Sequence, residues 1–82
     1  MVKMGKESKL LPSEVVEKAV VFFGPSGVGM KVVNRDDCCA RFEGAGGHVY
    51  IHTAELEGEG GSKVTAEGRE WEYQIKQFMG QI

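Results

Sequence analysis

Residues 38–53 read CCARFEGAGGHVYIHT and decide the fold of this 82-residue chain. A loop at residues 44–47 places Glu43 opposite His48 in an antiparallel hairpin. Because side chains alternate between the two faces of a strand, the paired residues divide into two sets. A shift by one residue would mix these sets, so the pattern itself supports the register. The predicted core face carries Cys38, Ala40, Phe42, Val49, Ile51 and Thr53, and the predicted outer face carries Cys39, Arg41, Glu43, His48, Tyr50 and His52.

Two helices and two more strands flank this hairpin. Residues 13–23 place their apolar side chains within an arc of about 160°, with Ser13 as the predicted N-cap. Residues 71–82 place Trp71, Ile75 and Phe78 on a second apolar arc, of about 100°. The predicted order is helix, four antiparallel strands, helix, which is an α+β two-layer sandwich with both helices on one sheet face. The four strands are predicted at residues 28–33, 37–43, 48–54 and 62–67, with an acidic loop at residues 55–61.

The predicted side-chain directions extend from the hairpin to the two other strands. Val28, Met30 and Val32 are expected to face the core, and Lys31 and Val33 to face outward. On the last strand, the alternation predicts that Val64 and Ala66 point inward and that Lys63 and Thr65 point outward.

The predicted arrangement resembles the helix-grip and TATA-binding-protein-like folds, which carry a helix, a four-stranded meander and a helix. Those folds usually have an additional N-terminal strand. The resemblance is architectural and includes no sequence motif, so it implies a fold and no functional residue.

Length and composition limit the class of protein. A chain of 82 residues, with 41% hydrophobic and 27% charged residues, is typical of one soluble globular domain. We expect residues 1–10 to form a flexible N-terminal arm and residues 11–82 to form the domain. No apolar run or signal-peptide pattern is evident, so we expect a cytoplasmic protein that does not bind membranes. A net charge of -2 argues against nucleic acid as a partner.

Residues 24–31, GPSGVGMK, resemble the phosphate-binding loop of guanylate-kinase-like nucleotide kinases. Gly24 and Gly29 have the required spacing, but Met30 occupies the lysine position and Lys31 the position of the magnesium-binding hydroxyl. A phosphate loop also opens into a helix, whereas the residues after Gly29 alternate as in a strand. We therefore expect a connection between helix and strand, and no nucleotide site.

The cysteines and histidines are the remaining candidates for chemistry. Cys38 and Cys39 are adjacent, below the usual Cα separation of a disulfide, so we expect reduced thiols. His48 and His52 are about 13 Å apart on one strand, too far to share a zinc ion. Cys39 and His52 form a pair that lacks two further ligands. We accordingly expect no metal, no cofactor and no catalytic residue.

The outer sheet face is the candidate interaction surface. We expect an interaction or assembly module without catalysis, whose partner is a second copy in a homodimer or another protein. The alternative is a small-ligand-binding domain, with the ligand on this face or between sheet and helix. An enzyme with Cys39 as nucleophile and His52 as base is the third hypothesis. The candidate interaction residues are Lys31, Cys39, Arg41, Glu43, His48, Tyr50 and His52.

Overall fold

A computed structural model describes residues 2–58 and 60–82 of the chain. The described residues form one antiparallel sheet, with strand order β1-β5-β4-β3-β2, and two helices. Met1, from the predicted arm, and Glu59, from the predicted acidic loop, lie outside the described residues. Neither described helix is long and apolar enough to cross a membrane. In chain order the elements are β1 Val2–Ser8, α1 Pro12–Phe23, β2 Lys31–Arg35, β3 Cys39–Gly44, β4 Gly47–Glu55, β5 Ser62–Arg69 and α2 Glu72–Gln81.

The central hairpin, β3 and β4, has the predicted register. Glu43 pairs with His48, Arg41 with Tyr50, and the pairing continues to Cys39 and His52. The connection is shorter than predicted, because Gly44 and Gly47 pair with each other and leave only two residues in the turn. Gly46 in this turn has φ of 78°, a backbone conformation that glycine adopts at little cost.

The predicted four-stranded sheet has a fifth strand, β1. It pairs with β5 from Val2 opposite Gly68 to Ser8 opposite Ser62, where the sequence predicted a flexible arm. Its inward-facing positions begin with Val2 and Met4 and continue with Lys6 and Ser8. Lys6 Nζ donates to the carbonyl of Met79 at 2.9 Å, and Ser8 Oγ to that of Ile82 at 3.0 Å. These side chains satisfy carbonyl groups at the C-terminal end of α2, so β1 lacks an alternating apolar pattern.

Both helices pack on one face of the sheet, as predicted. The ring centroid of Phe23 in α1 lies 5.3 Å from those of Phe42 in β3 and Phe78 in α2. Helix α2 approaches β5 closely, because a Cβ atom on Gly68 would overlap Cδ1 of Ile75. The buried hydrophobic residues are Val15, Val16, Ala19, Phe23, Met30, Ala40, Phe42, Val49, Ile51, Val64, Ala66, Ile75, Phe78 and Met79.

Several element ends differ from the predictions. Leu11 occupies the N-cap position of α1 rather than Ser13, and its N–H donates to Glu14 Oε1 at 2.9 Å. Trp71 precedes α2 as its N-cap residue and is partly buried against the core. Strand β2 begins at Lys31, and its register with β3 shifts between Val32 and Asn34. The predicted strand start at residue 28 is therefore wrong.

The face of the sheet turned away from the helices, which we call the open face, has no element over it among the residues that the structure describes. All seven candidate interaction residues lie at outward-facing register positions of β2, β3 and β4. The open face consists of Lys3, Gly5 and Glu7 from β1, Lys31 and Asn34 from β2, Cys39, Arg41 and Glu43 from β3, His48, Tyr50 and His52 from β4, and Lys63, Thr65, Glu67 and Arg69 from β5.

Candidate functional site

The glycine-rich residues 24–30 form the connection between α1 and β2, which begins at Lys31. The N–H groups of Gly27 and Gly29 donate to the carbonyl of Gly24, at 3.0 and 2.9 Å. The N–H groups of Val28 and Met30 donate to carbonyls at the end of α1, at 2.8 and 2.9 Å. A phosphate-binding loop needs such N–H groups free to contact the phosphates. The predicted helix-to-strand connection is confirmed.

ATP and GTP with Mg²⁺ are therefore expected not to bind residues 24–31. The backbone donors are occupied within the chain, and Met30 cannot supply the ammonium group that contacts the outer phosphates. Isothermal titration calorimetry should detect no binding with a Kd below about 100 µM. Nucleotide binding that Lys31→Ala abolishes would contradict this prediction.

The cross-strand register arranges the open face in rows that run perpendicular to the strands, with β4 in the centre. Each row joins residues that are direct neighbours on adjacent strands. The first row is Lys31, Glu43, His48 and Arg69; the second is Asn34, Arg41, Tyr50, Glu67 and Lys3; the third is Cys39, His52, Thr65 and Gly5.

An aromatic band follows β4 through the middle of these rows. The rings of Tyr50 and His52 stack with a centroid distance of 6.4 Å and an interplanar angle of 15°. On the β5 side, Glu67 Oε1 lies 3.7 Å from Lys3 Nζ in an exposed ion pair. Each side of the band thus carries one positive and one negative side chain: Arg41 and Glu43 on β3, and Arg69 and Glu67 on β5.

The open face contains a shallow cavity of about 160 Å³ beside Cys39, Arg41 and Tyr50. Small-molecule sites usually enclose about 300–1,000 Å³. An open depression of about 580 Å³ lies where Val2 of β1 and Gly68 of β5 meet the start of α2. A second, of about 420 Å³, follows the solvent-exposed groove between α1 and α2. The layer between sheet and helices is filled by side chains such as Phe23 and Phe42, which are fully buried. In the described part of the chain, this geometry favours a flat contact surface over an enclosed ligand pocket.

Cys38 and Cys39 form a disulfide, which corrects the prediction of reduced thiols. The prediction relied on their Cα separation, which is 3.7 Å and below the usual range. Separately, the predicted hairpin register placed Cys38 inside the strand and facing the core, opposite to Cys39. Strand β3 instead begins at Cys39, and Cys38 belongs to the turn before it. Strand alternation therefore does not separate the two sulfur atoms.

Asp36 and His52 complete a cluster around this disulfide. Asp36 Oδ1 accepts the N–H groups of Cys38 and Cys39 at 3.0 and 2.9 Å, and it lies 3.2 Å from Cys38 Sγ. Cys39 Sγ lies 3.2 Å from His52 Nδ1. The two sulfur atoms and a ring nitrogen of His52 all lie within 4.8 Å of one another. Two cysteine sulfur atoms and an imidazole nitrogen are all atom types that serve as zinc ligands.

Sequence reasoning placed Cys39 beside His52 but missed Cys38 and Asp36. The available signal was an aspartate two residues before the cysteine pair, since aspartate side chains commonly bond backbone N–H groups two residues further on. In the disulfide-bonded form Cys39 has no thiolate, which a cysteine nucleophile requires. The structure therefore gives no support to the hypothesis of a thiol-dependent enzyme in this form.

Comparisons of the chain with protein-family models, with curated proteins and with solved structures found no match. The open face and the Cys38–Cys39–His52 cluster are the two candidate sites of the described residues.

Proposed function

We propose that this chain is a non-catalytic assembly module that forms a homodimer through its open face. The observation that carries the proposal is the arrangement of charges on the two sides of β4. In the second row Arg41 lies on β3 and Glu67 on β5, and in the first row Glu43 lies on β3 and Arg69 on β5. Each of these two rows therefore has opposite charges at equal distances from β4.

A two-fold axis parallel to β4 would bring these opposite charges of the two copies together. Rotation about that axis lays β3 of one copy over β5 of the other and keeps every row at its own height. Arg41 then faces Glu67 of the second copy, and Glu43 faces Arg69 of the second copy. Sheets related in this way pack with their strands nearly aligned, which is a common sheet-on-sheet arrangement. Complementary charges of this kind set the register of a contact and its choice of partner.

A two-fold axis that is perpendicular to the strands and parallel to the sheet brings like charges together instead. If it passes over the second row, β3 lies over β3 of the second copy. Arg41 then faces its own copy, and so does Glu67, so like charges meet on both sides of the contact. Since like charges in opposition are unfavourable, the charge pattern favours the axis along β4.

The aromatic band lies on the preferred axis. Tyr50 and His52 of one copy therefore meet their counterparts and would form the centre of the contact. Tyrosine is enriched among residues that dominate binding energy, particularly at the centre of an interface. The flanking charges lie further out, where they exclude water and orient the two copies.

The size of the open face sets the expected affinity. Five strands span about 19 Å between outer axes, and a strand as long as β4 extends about 30 Å. The face thus offers about 600 Å² per copy, below the roughly 800 Å² per partner of a standard interface. We expect a reversible dimer with a Kd of about 10–100 µM.

The test is sedimentation velocity over a concentration series. The weight-average mass should rise from that of a monomer at low micromolar concentration toward that of a dimer above about 100 µM. Tyr50→Glu places two carboxylates together at the centre of the contact and should keep the protein monomeric throughout. Tyr73→Glu is the matched control, because Tyr73 lies on α2 with 68% exposure and away from the sheet, so this variant should still dimerise.

A monomeric wild-type protein above about 100 µM would contradict the homodimer. A dimer that tolerates Tyr50→Glu would show that the open face is not the interface. Either result would move support to the small-ligand alternative, with the open face as a binding surface.

A further inference from the structure

We propose that Cys38, Cys39 and His52, once the disulfide is reduced, bind a thiophilic divalent metal ion such as Zn²⁺. This inference is independent of the proposed homodimer. It rests on the convergence of three ligand side chains of the types that zinc prefers: two cysteine sulfur atoms and an imidazole nitrogen.

The distances fit one tetrahedral ion. With Zn–S bonds of about 2.3 Å and a Zn–N bond of about 2.0 Å, neighbouring ligand atoms lie about 3.5–3.8 Å apart. Cys39 Sγ and His52 Nδ1 are already 3.2 Å apart, and all three ligand atoms lie within 4.8 Å of one another. The largest adjustment is the separation of the two sulfur atoms from bonding distance. Rotation of the cysteine side chains allows this separation after the disulfide is cleaved.

Neighbouring residues position all three ligands. The ring of His52 stacks on Tyr50 while its Nδ1 faces Cys39 Sγ. Asp36 Oδ1 accepts both cysteine N–H groups and thereby fixes the turn that presents the two sulfur atoms. Asp36 is therefore a positioning residue. Because His52 is exposed, the fourth coordination position is open to water.

The donor set also determines the class of ion. Two thiolates and one imidazole suit Zn²⁺, Co²⁺ and Cd²⁺, whereas Mg²⁺ and Ca²⁺ require oxygen ligands. The two histidines of β4 cannot bind one ion without the cysteines, because His48 lies about 13 Å from His52.

Reduction of the disulfide and binding of the ion are two separate chemical steps. A trialkylphosphine attacks one sulfur atom and cleaves the S–S bond; the phosphine is oxidised to its oxide with oxygen from water, and the cysteines become two thiols. Binding of the ion then forms two metal–sulfur bonds and one metal–nitrogen bond. Both thiol protons pass to the buffer, so metal affinity should increase with pH across the range in which thiols ionise.

The experiment is titration of the phosphine-reduced protein with Co²⁺, followed by competition with Zn²⁺. It is done at low micromolar protein concentration, where the expected homodimer is dissociated, so its outcome does not depend on dimerisation. We expect one ion per chain, a sulfur-to-cobalt charge-transfer band, and loss of that band on addition of Zn²⁺. Protein with the disulfide intact should show no such band.

Variants test the individual residues. Loss of a residue that only orients a metal ligand typically costs 10- to 100-fold in metal affinity. Loss of a ligand itself costs more, so Cys38→Ala, Cys39→Ala and His52→Ala should each weaken binding by at least about 100-fold. His48→Ala is the matched control, because His48 lies on the same strand and face but away from the cysteines, and it should bind like wild type. Asp36→Ala should weaken binding by about tenfold, and Asp36→Asn, which keeps the acceptor oxygen, should restore it.

Three results would overturn the site. The first is the absence of a charge-transfer band in the reduced wild-type protein. The second is equal binding by the disulfide-bonded form. The third is an affinity that falls as much with His48→Ala as with His52→Ala, which would place the ion elsewhere.

Discussion

Replacement of Phe23 by alanine is expected to lower the free energy of unfolding by about 3–5 kcal/mol. The side chain is fully buried, and its ring lies 4.9 Å from that of Phe22 and 5.3 Å from those of Phe42 and Phe78. It is the position where α1, α2 and the sheet meet. Its removal therefore leaves a cavity that all three elements would have to close together.

The loss is large relative to the total, because domains of ordinary stability unfold at a cost of about 5–15 kcal/mol. Urea denaturation followed by circular dichroism measures the change. Val21→Ala is the matched control: it lies in the same helix with 63% exposure and should shift the free energy of unfolding by less than about 0.5 kcal/mol. A loss below about 1 kcal/mol for Phe23→Ala would mean that α1 does not pack against the sheet as described.

Much of the fold can be predicted from local patterns. The alternation on either side of residues 44–47 determines the hairpin register, because a shift by one residue would move Phe42 and Val49 out of the core. The apolar stripe of α1 is equally informative, and Val15, Val16 and Ala19 are buried as its periodicity predicts. In both cases one face of the element is buried, so apolar residues recur along the sequence with the period of that strand or helix.

Two features depend on contacts between distant parts of the chain. Strand β1 places Lys6 and Ser8 on the inward side, where they bond carbonyl groups of α2 more than 70 residues away. Trp71 was predicted on the apolar stripe of the last helix but precedes that helix and lies over Gly44. A Cβ atom on Gly44 would come within 2.5 Å of Trp71 Cζ2, so the two residues fit each other only in the folded hairpin.

The candidate site, like the fold, could be predicted only in part from the sequence. Cys39 and His52 are paired by the hairpin register, which requires only the strand pattern. Cys38 and Asp36 join them because β3 begins at Cys39, two residues later than predicted, and a side-chain hydrogen bond shapes the turn before it. The end of a strand depends on whether its backbone N–H groups bond to a nearby side chain or to the neighbouring strand. The periodicity of apolar residues does not indicate which of the two occurs.

Two charge-reversed variants, Arg41→Glu and Glu67→Arg, are each expected to remain monomeric when alone and to dimerise when mixed. In a dimer of Arg41→Glu about the β4 axis, each new glutamate faces Glu67 of the second copy. In a dimer of Glu67→Arg, each new arginine faces Arg41 of the second copy. Two repulsive contacts then oppose each homodimer, and like charges in opposition cost several kcal/mol at an interface.

The mixture differs because each contact involves one residue from each chain. The glutamate at position 41 of one chain faces the arginine at position 67 of the other, and the second contact is the unchanged Arg41–Glu67 pair. Sedimentation of an equimolar mixture above about 100 µM should therefore show a dimer that neither variant forms alone. Lys18→Glu, on the exposed side of α1, has the same change in charge as Arg41→Glu and should dimerise by itself. Dimers of either reversed variant alone would contradict the open-face contact. A monomeric mixture would exclude the axis along β4, because only that axis brings positions 41 and 67 of different chains together in both contacts.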